Sequence, residues 1–210
     1  MSIPTTDVRQ TALSAAISAI EAEANEPQPW TLDVLLVDED CAASHSLSAL
    51  LRWRGITVHT ATAGDALAVV QDERPALCIV SAELGARFIF GLTQLPDSPV
   101  VLVHAVERVE ELGGVAVLAG AVGVVPRYGD PDELESAIRR VAAGTPPAPE
   151  LAGPTIRRLL DRVEDRDRPI VAMQLLGIPR GEIARTLGIS ERAVRARRWE
   201  VVKRLDPPRT

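Results

Sequence analysis

The chain of 210 residues has two cysteines and one lysine, and its apolar runs, such as 34–37, 100–103 and 115–119, are short. Each scarcity excludes something. Cys41 and Cys78 lack CxxC spacing, which argues against a disulfide scaffold or a zinc site. Cys78, within Ala76-Leu77-Cys78-Ile79-Val80, reads as a small buried hydrophobe. The apolar runs fall far short of the roughly 20 residues that a bilayer span needs. The start, MSIPTTDVRQ, has no basic region ahead of an apolar stretch, so no secretory signal is read there and a cytoplasmic protein is expected. A phosphate-binding glycine loop, a nucleophile elbow and a metal-ligand cluster are all missing. No enzyme, catalytic residue, cofactor or metal is therefore expected.

What is present is globular: 46% hydrophobic and 25% charged residues. The net charge of −6 conceals an asymmetry. Residues 155–210 hold 14 Lys and Arg against 8 Asp and Glu, a net +6, which leaves −12 on the remaining 154 residues. Such a division points to a polyanion-binding module attached to an acidic one.

At the N-terminus, Thr6 can cap a helix over 7–23 with Leu13, Ile17 and Ile20 on one stripe, ended by Pro27-Gln28-Pro29. So narrow a face needs a partner, either the next domain or its own copy in a dimer. From residue 32, apolar runs alternate with helical patterns at about 20-residue intervals, as in a parallel sheet with crossover helices. Strands are expected at 32–37, 57–61, 77–80, 100–103 and 123–125, and helices at 42–54, 66–73, 107–119 and 132–143. Asp130-Pro131-Asp132-Glu133 supplies an N-cap, a first-turn proline and a Glu three residues after the cap for the last of these. The fold class is thus α/β, a doubly wound five-stranded parallel sheet, followed by a small all-α helix-turn-helix domain. In such sheets ligands bind at the carboxyl ends of the strands, where Asp38-Glu39-Asp40, Ser81, His104 and Arg127 stand.

Gly144-Thr145-Pro146-Pro147-Ala148-Pro149 reads as a stiff, extended connector that separates the domains. The organisation is a helical extension (1–29), an α/β domain (30–143), a linker (144–154) and a basic helical domain (155–210). In the last, helices are expected at 154–163 and 169–176. Next comes the most specific motif of the chain, Gly181-Glu182-Ile183-Ala184-Arg185-Thr186-Leu187-Gly188-Ile189-Ser190-Glu191-Arg192-Ala193-Val194. A short helix with Ile183, Ala184 and Leu187 inside reaches Gly188, suited to a left-handed turn, and Ser190 caps the next helix over 191–205. This is a helix-turn-helix, in which small Ala184 lets the two helices cross closely. Its second helix enters the major groove by its N-terminal half. Arg192 and Arg195 are assigned to base edges, guanine being the favoured partner of arginine. Arg180, Arg185, Arg197 and Lys203 are assigned to phosphates.

Over about 32–143 the chain resembles the receiver domain of two-component response regulators, in strand order, element spacing and the run Gly120-Ala121-Val122-Gly123. The resemblance implies a magnesium-holding acidic pair after the first strand, a phospho-accepting aspartate after the third, a Thr or Ser after the fourth and a Lys after the fifth. Here Asp38 and Glu39 keep the acidic pair. Ser81 stands at the acceptor position, His104 replaces the switch hydroxyl, and Arg127 replaces the lysine with a different donor geometry. A hydroxyl cannot form the acyl phosphate that a carboxylate forms, and a hard cation loses an oxygen ligand. Weak or absent Mg²⁺ binding is expected, with Arg127 paired to Asp38 and Glu39 in a filled pocket. The stretch from Ser81 to His104 is shorter than the family's, and Gly85, Gly91 and Pro96 break up any helix there, so a degraded or remodelled crossover is expected. The C-terminal segment looks like the LuxR-type output domain of such regulators. It departs in two ways: residues 206–210 replace a fourth helix, and Arg198 takes a usually apolar position. Both features resemble region 4 of extracytoplasmic sigma factors. The expectation is a transcription regulator that binds double-stranded DNA independently of Asp phosphorylation, as a homodimer through the receiver-like domain or the N-terminal helix. The alternatives are an adaptor or sequestering protein, or a sigma-like contact with RNA polymerase.

Overall fold

A computed structural model of the chain describes residues 32–106, 109–144, 151 and 153–206. The helix expected at 7–23, its 27–29 stop, the connector residues 145–149 and the first residues of the helix expected at 107–119 lie outside the described residues. The described residues from Leu32 onward make one compact unit.

Five strands, β1 (Asp33–Val37), β2 (Thr57–Ala61), β3 (Leu77–Ser81), β4 (Val100–Ala105) and β5 (Gly123–Pro126), form one parallel sheet in the order β2-β1-β3-β4-β5. Both faces of its central strands are buried, as a sheet with helices on either side requires. Val34, Leu36, Ile79 and Leu102 face Leu51 of helix α1 (Cys41–Trp53) and Ile138 of helix α5 (Pro131–Ala142) in one apolar cluster. Leu35, Val37, Cys78, Val80 and Val103 face the opposite layer, helices α2 (Ala66–Glu73), α3 (Ala86–Leu92) and α4 (Val109–Ala119). Local chemistry sets the helix starts. Asp40 caps α1, accepting from the Ala42 and Ala43 amides at 3.0 and 3.1 Å. Asp130 caps α5, accepting from the Asp132 amide at 2.9 Å with Pro131 next.

The third crossover is remodelled, yet it keeps a helix that the glycines and proline were expected to break. A 3-10 turn (Ala82–Leu84) runs through Gly85, whose φ of 84° is open to glycine, into the seven-residue α3. Tertiary burial of Ile89, Phe90 and Leu92 overrides the weak local propensity, and Pro96 falls after the helix has ended.

Helices α6 (Gly153–Asp161), α7 (Arg168–Leu175), α8 (Arg180–Leu187) and α9 (Glu191–Leu205) form the C-terminal lobe. Its private core is small: Ile170, Ile183, Ala184 and Val194. Several further apolar residues of the lobe, Leu159, Val171, Leu175, Val201, Val202 and Leu205, join the α2–α4 side of the sheet. The proline-rich connector reads as a spacer, yet the two lobes pack directly and share this cluster. Gly114 permits the contact, since a Cβ there would collide with Leu159 Cδ1. Among the described residues no helix is long and apolar enough to cross a membrane.

Candidate nucleic-acid interface and receiver pocket

At the carboxyl edge of the sheet, β1, β3, β4 and β5 bring Asp38, Ser81, His104 and Arg127 together. Ser81 pairs in register with His104. Arg127 Nη2 donates to Asp38 Oδ2 at 2.6 Å, with side chains only 5% and 2% exposed. The same nitrogen lies 3.4 Å from Asp40 Oδ2. The predicted pairing of Arg127 with Asp38 is thus present, whereas Glu39 is not the second partner. Glu39 turns outward over the β2–α2 loop and accepts from the Ala63 amide at 2.8 Å, which leaves Asp40, the α1 cap, nearest the guanidinium. Ser81 Oγ accepts from the Glu83 amide at 3.4 Å and caps the 3-10 turn.

His104 is 2% exposed, and its Nε2 lies 3.4 Å from Asp38 Oδ2. Burial pushes its pKa down to about 4; Asp38 opposes the shift and Arg127 adds to it. The ring is therefore neutral at pH 7. Among the described residues neither ring nitrogen has a hydrogen-bond partner, nor has the buried Nε of Arg127. Among the described residues no group of three or more His, Cys, Asp or Glu side chains is placed to hold a metal ion. Away from this edge, buried Cys78 is a core residue whose thiol burial pushes up to about 12.

The helix-turn-helix is formed as its sequence dictates. Gly188 takes φ 64°, and Ser190 Oγ accepts from the Ala193 amide at 3.1 Å. Arg192, Arg195 and Arg197 are exposed, and no hydrogen bond or ion pair engages them among the described residues. Arg180 is held by Glu191 at 2.8 Å across the turn, and Arg185 lies 3.6 Å from Glu182. Lys203, two turns beyond Arg195, pairs with Glu200 at 2.8 Å. It thus stands apart from the N-terminal arginine group.

Three residues that sequence reasoning did not assign, Arg87, Phe90 and Trp199, join the lobes, together with Arg198. Two arginines cap each other's lobes. Arg198 of α9 is 7% exposed and donates through Nε and Nη2 to the Leu118 carbonyl in the last turn of α4, at 3.1 and 2.8 Å. Arg87 of α3 donates through Nε to the Asp206 carbonyl and through Nη2 to that of Lys203, both at 3.1 Å, at the end of α9. Helix C-termini carry unsatisfied carbonyls and partial negative charge, so each guanidinium sits where a cation is favoured. Burial lowers the Arg198 pKa to about 10, with nearby Arg180 adding to the effect, so it remains charged at pH 7. Phe90 and Trp199 meet with ring centroids 4.9 Å apart. The signal for Arg198 was legible: it lies on the same stripe as Val194, Val201 and Leu205 at 3.6-residue spacing, so it had to point inward.

No family model matches the chain. It is 30% identical over 115 residues to the transcriptional regulatory protein UhpA of Salmonella typhimurium, a match covering 54% of this chain and 59% of UhpA. The chain thus spans little more than half the length of that curated relative. Among solved structures, RcsB of Salmonella enterica serovar Typhimurium, bound to a promoter, aligns with 86% of this chain and 94% of its own at 13% identity and a TM-score of 0.54. A LuxR-family two-component response regulator from an Aurantimonas species aligns with 64% of this chain and all of its own at 24% identity, with a TM-score of 0.50. At these identities the likeness is one of fold. The five-stranded parallel sheet with its surrounding helices is the receiver-domain fold, followed by a helical lobe that contains a helix-turn-helix.

Proposed function

We infer that the chain is a DNA-binding transcription regulator whose receiver-like domain acts without aspartyl phosphorylation. The observation that carries this reading is the unpaired, exposed group Arg192, Arg195 and Arg197 at the N-terminal end of a Ser190-capped second helix. A helix presented in this way fits the major groove, where arginine reads guanine edges and neighbouring cations meet phosphates. UhpA is named as a transcriptional regulatory protein, and RcsB is seen on promoter DNA. Both favour the same role here. Phosphorylation-independence is supported by Ser81, which offers no carboxylate, and by the Arg127–Asp38 pair, which occupies the pocket edge where a phosphoryl group and its cation would be held.

Helix α9 packs on α3 and α4. Arg192 and Arg195 are exposed yet line the cleft between α9 and α3 with Trp199, so seating a duplex on this stripe would widen the cleft. On this reading the docked arrangement belongs to the DNA-free protein.

A salt titration of duplex affinity tests the reading and separates it from an adaptor that binds only protein. Neutralising several phosphates makes log K fall with log salt by about 0.9 per phosphate contacted. The reading requires a slope of several such contacts, shallower by about one in Arg197→Ala. Affinity indifferent to salt, or an unchanged slope in that variant and in Arg192→Ala, would point to protein partners such as RNA polymerase.

A further inference from the structure

A cleft of about 630 Å³ opens between α3 and α9, lined by Arg87, Phe90 and Gly91 on one side and Arg192, Arg195 and Trp199 on the other. Arg87 lines it from α3 and Arg192 and Arg195 from α9, and among the described residues no carboxylate lines it. The Arg87 guanidinium donates to the main-chain carbonyls of Asp206 and Lys203, while the Asp206 carboxylate accepts from the Arg87 amide at 3.2 Å. Arg192 and Arg195 have no partner among the described residues. The wall between them is aromatic: Phe90 and Trp199 pack at 4.9 Å, with Lys203 Nζ 5.6 Å from the Trp199 ring centre. The docked form therefore brings arginines of both lobes to one cleft, where Arg192 and Arg195 are left without an acidic partner among the described residues, a local positive charge that a small polyanion would neutralise.

We propose that this cleft is a binding site for a purine nucleotide, which holds the lobes together and competes with DNA. The volume falls in the range of small-molecule sites, about 300–1,000 Å³. Arginine pairs bind phosphate through bidentate hydrogen bonds, and the doubly charged phosphate suits several cations better than a single carboxylate would. A purine offers a flat face to aromatic and guanidinium planes. A ligand on Arg192 and Arg195 occupies the side chains that would otherwise read bases, so it favours the docked form by mass action. The competition, though not the binding, rests on the DNA-binding reading.

The test uses the full chain with guanosine 5′-monophosphate, guanosine and inorganic phosphate as probes, by calorimetry and by competition against a bound duplex. Two variants accompany it, Arg195→Ala and Gly91→Leu. Gly91 suits this purpose because a Cβ there has nothing within 4 Å, so a larger side chain enters the cleft without displacing the core. The nucleotide is expected to bind at least tenfold more tightly than phosphate or guanosine. Each variant should weaken that binding at least tenfold, and the nucleotide should lower duplex affinity in the parent chain but not in Gly91→Leu. No binding, equal binding of phosphate and nucleotide, or binding unmoved by Gly91→Leu would overturn the proposal. Duplex binding without nucleotide binding sinks the cleft alone. Nucleotide binding that depends on Gly91, with no duplex bound, sinks the DNA reading alone.

Discussion

At the scale of single residues, the pocket edge turns on one buried ion pair and one buried imidazole. Removing a single partner of a buried pair leaves an uncompensated charge, whereas replacing both by apolar groups is often neutral. Arg127→Ala is therefore expected to lower stability by about 3–5 kcal/mol, and Asp38→Leu with Arg127→Met to recover most of that loss, both read from urea unfolding. Equal losses in the single and double variants would contradict the pairing. His104 gives a pH signature. Its folded pKa, about 4, lies below the roughly 6.5 of an unfolded chain, so protons bind preferentially to the unfolded state in acid. The contribution of neutral His104 is complete above pH 6.5 and is lost as pH falls toward 4. In His104→Gln the decline across that window is expected to be shallower by the order of 1–3 kcal/mol; an identical pH profile would show that the ring does not titrate there. Asp38, Ser81, His104 and Arg127 were legible at strand ends because strand lengths and parallel order fix where each chain leaves the sheet. The exchange of Glu39 for Asp40 was not. Beyond the last ladder residue, side-chain direction is set by loop contacts, here the α1 cap and the Ala63 amide.

Among the elements, the turn and second helix of the helix-turn-helix were read almost completely, since Gly188 and Ser190 specify their geometry locally. Ser190→Ala removes the acceptor for the Ala193 amide and is expected to cost about 1 kcal/mol in chemical denaturation. An unchanged midpoint would mean that the cap is dispensable. Helix α3 shows the opposite case. With seven residues and an internal Gly91, it is too short to be stable by propensity, and burial of Ile89, Phe90 and Leu92 holds it. Local sequence could not reveal that support, because the residues that cover Phe90 come from α9, more than 100 positions later.

For the whole molecule, the contacts of Arg198 and Arg87 convert two lobes into one unit. The partner of Arg198 is a main-chain carbonyl 80 residues away, which no side-chain pattern encodes. The inward position of Arg198 was readable, but its destination was not. Arg87 lies off the recognition helix, so Arg87→Ala should loosen docking without removing a DNA contact, and duplex affinity is expected to rise severalfold. A fall in affinity would show that docking does not oppose DNA binding. The acidic receiver-like part and the basic C-terminal part also attract one another at low ionic strength, so this gain should shrink as salt is raised.

The most direct measurement selects genomic fragments with the purified, unphosphorylated chain at two salt concentrations and repeats the selection with Arg195→Ala. A discrete enriched motif is expected that needs no phosphodonor, weakens with salt and is lost or relaxed in the variant. No enrichment, or enrichment indifferent to both salt and Arg195, would contradict that expectation.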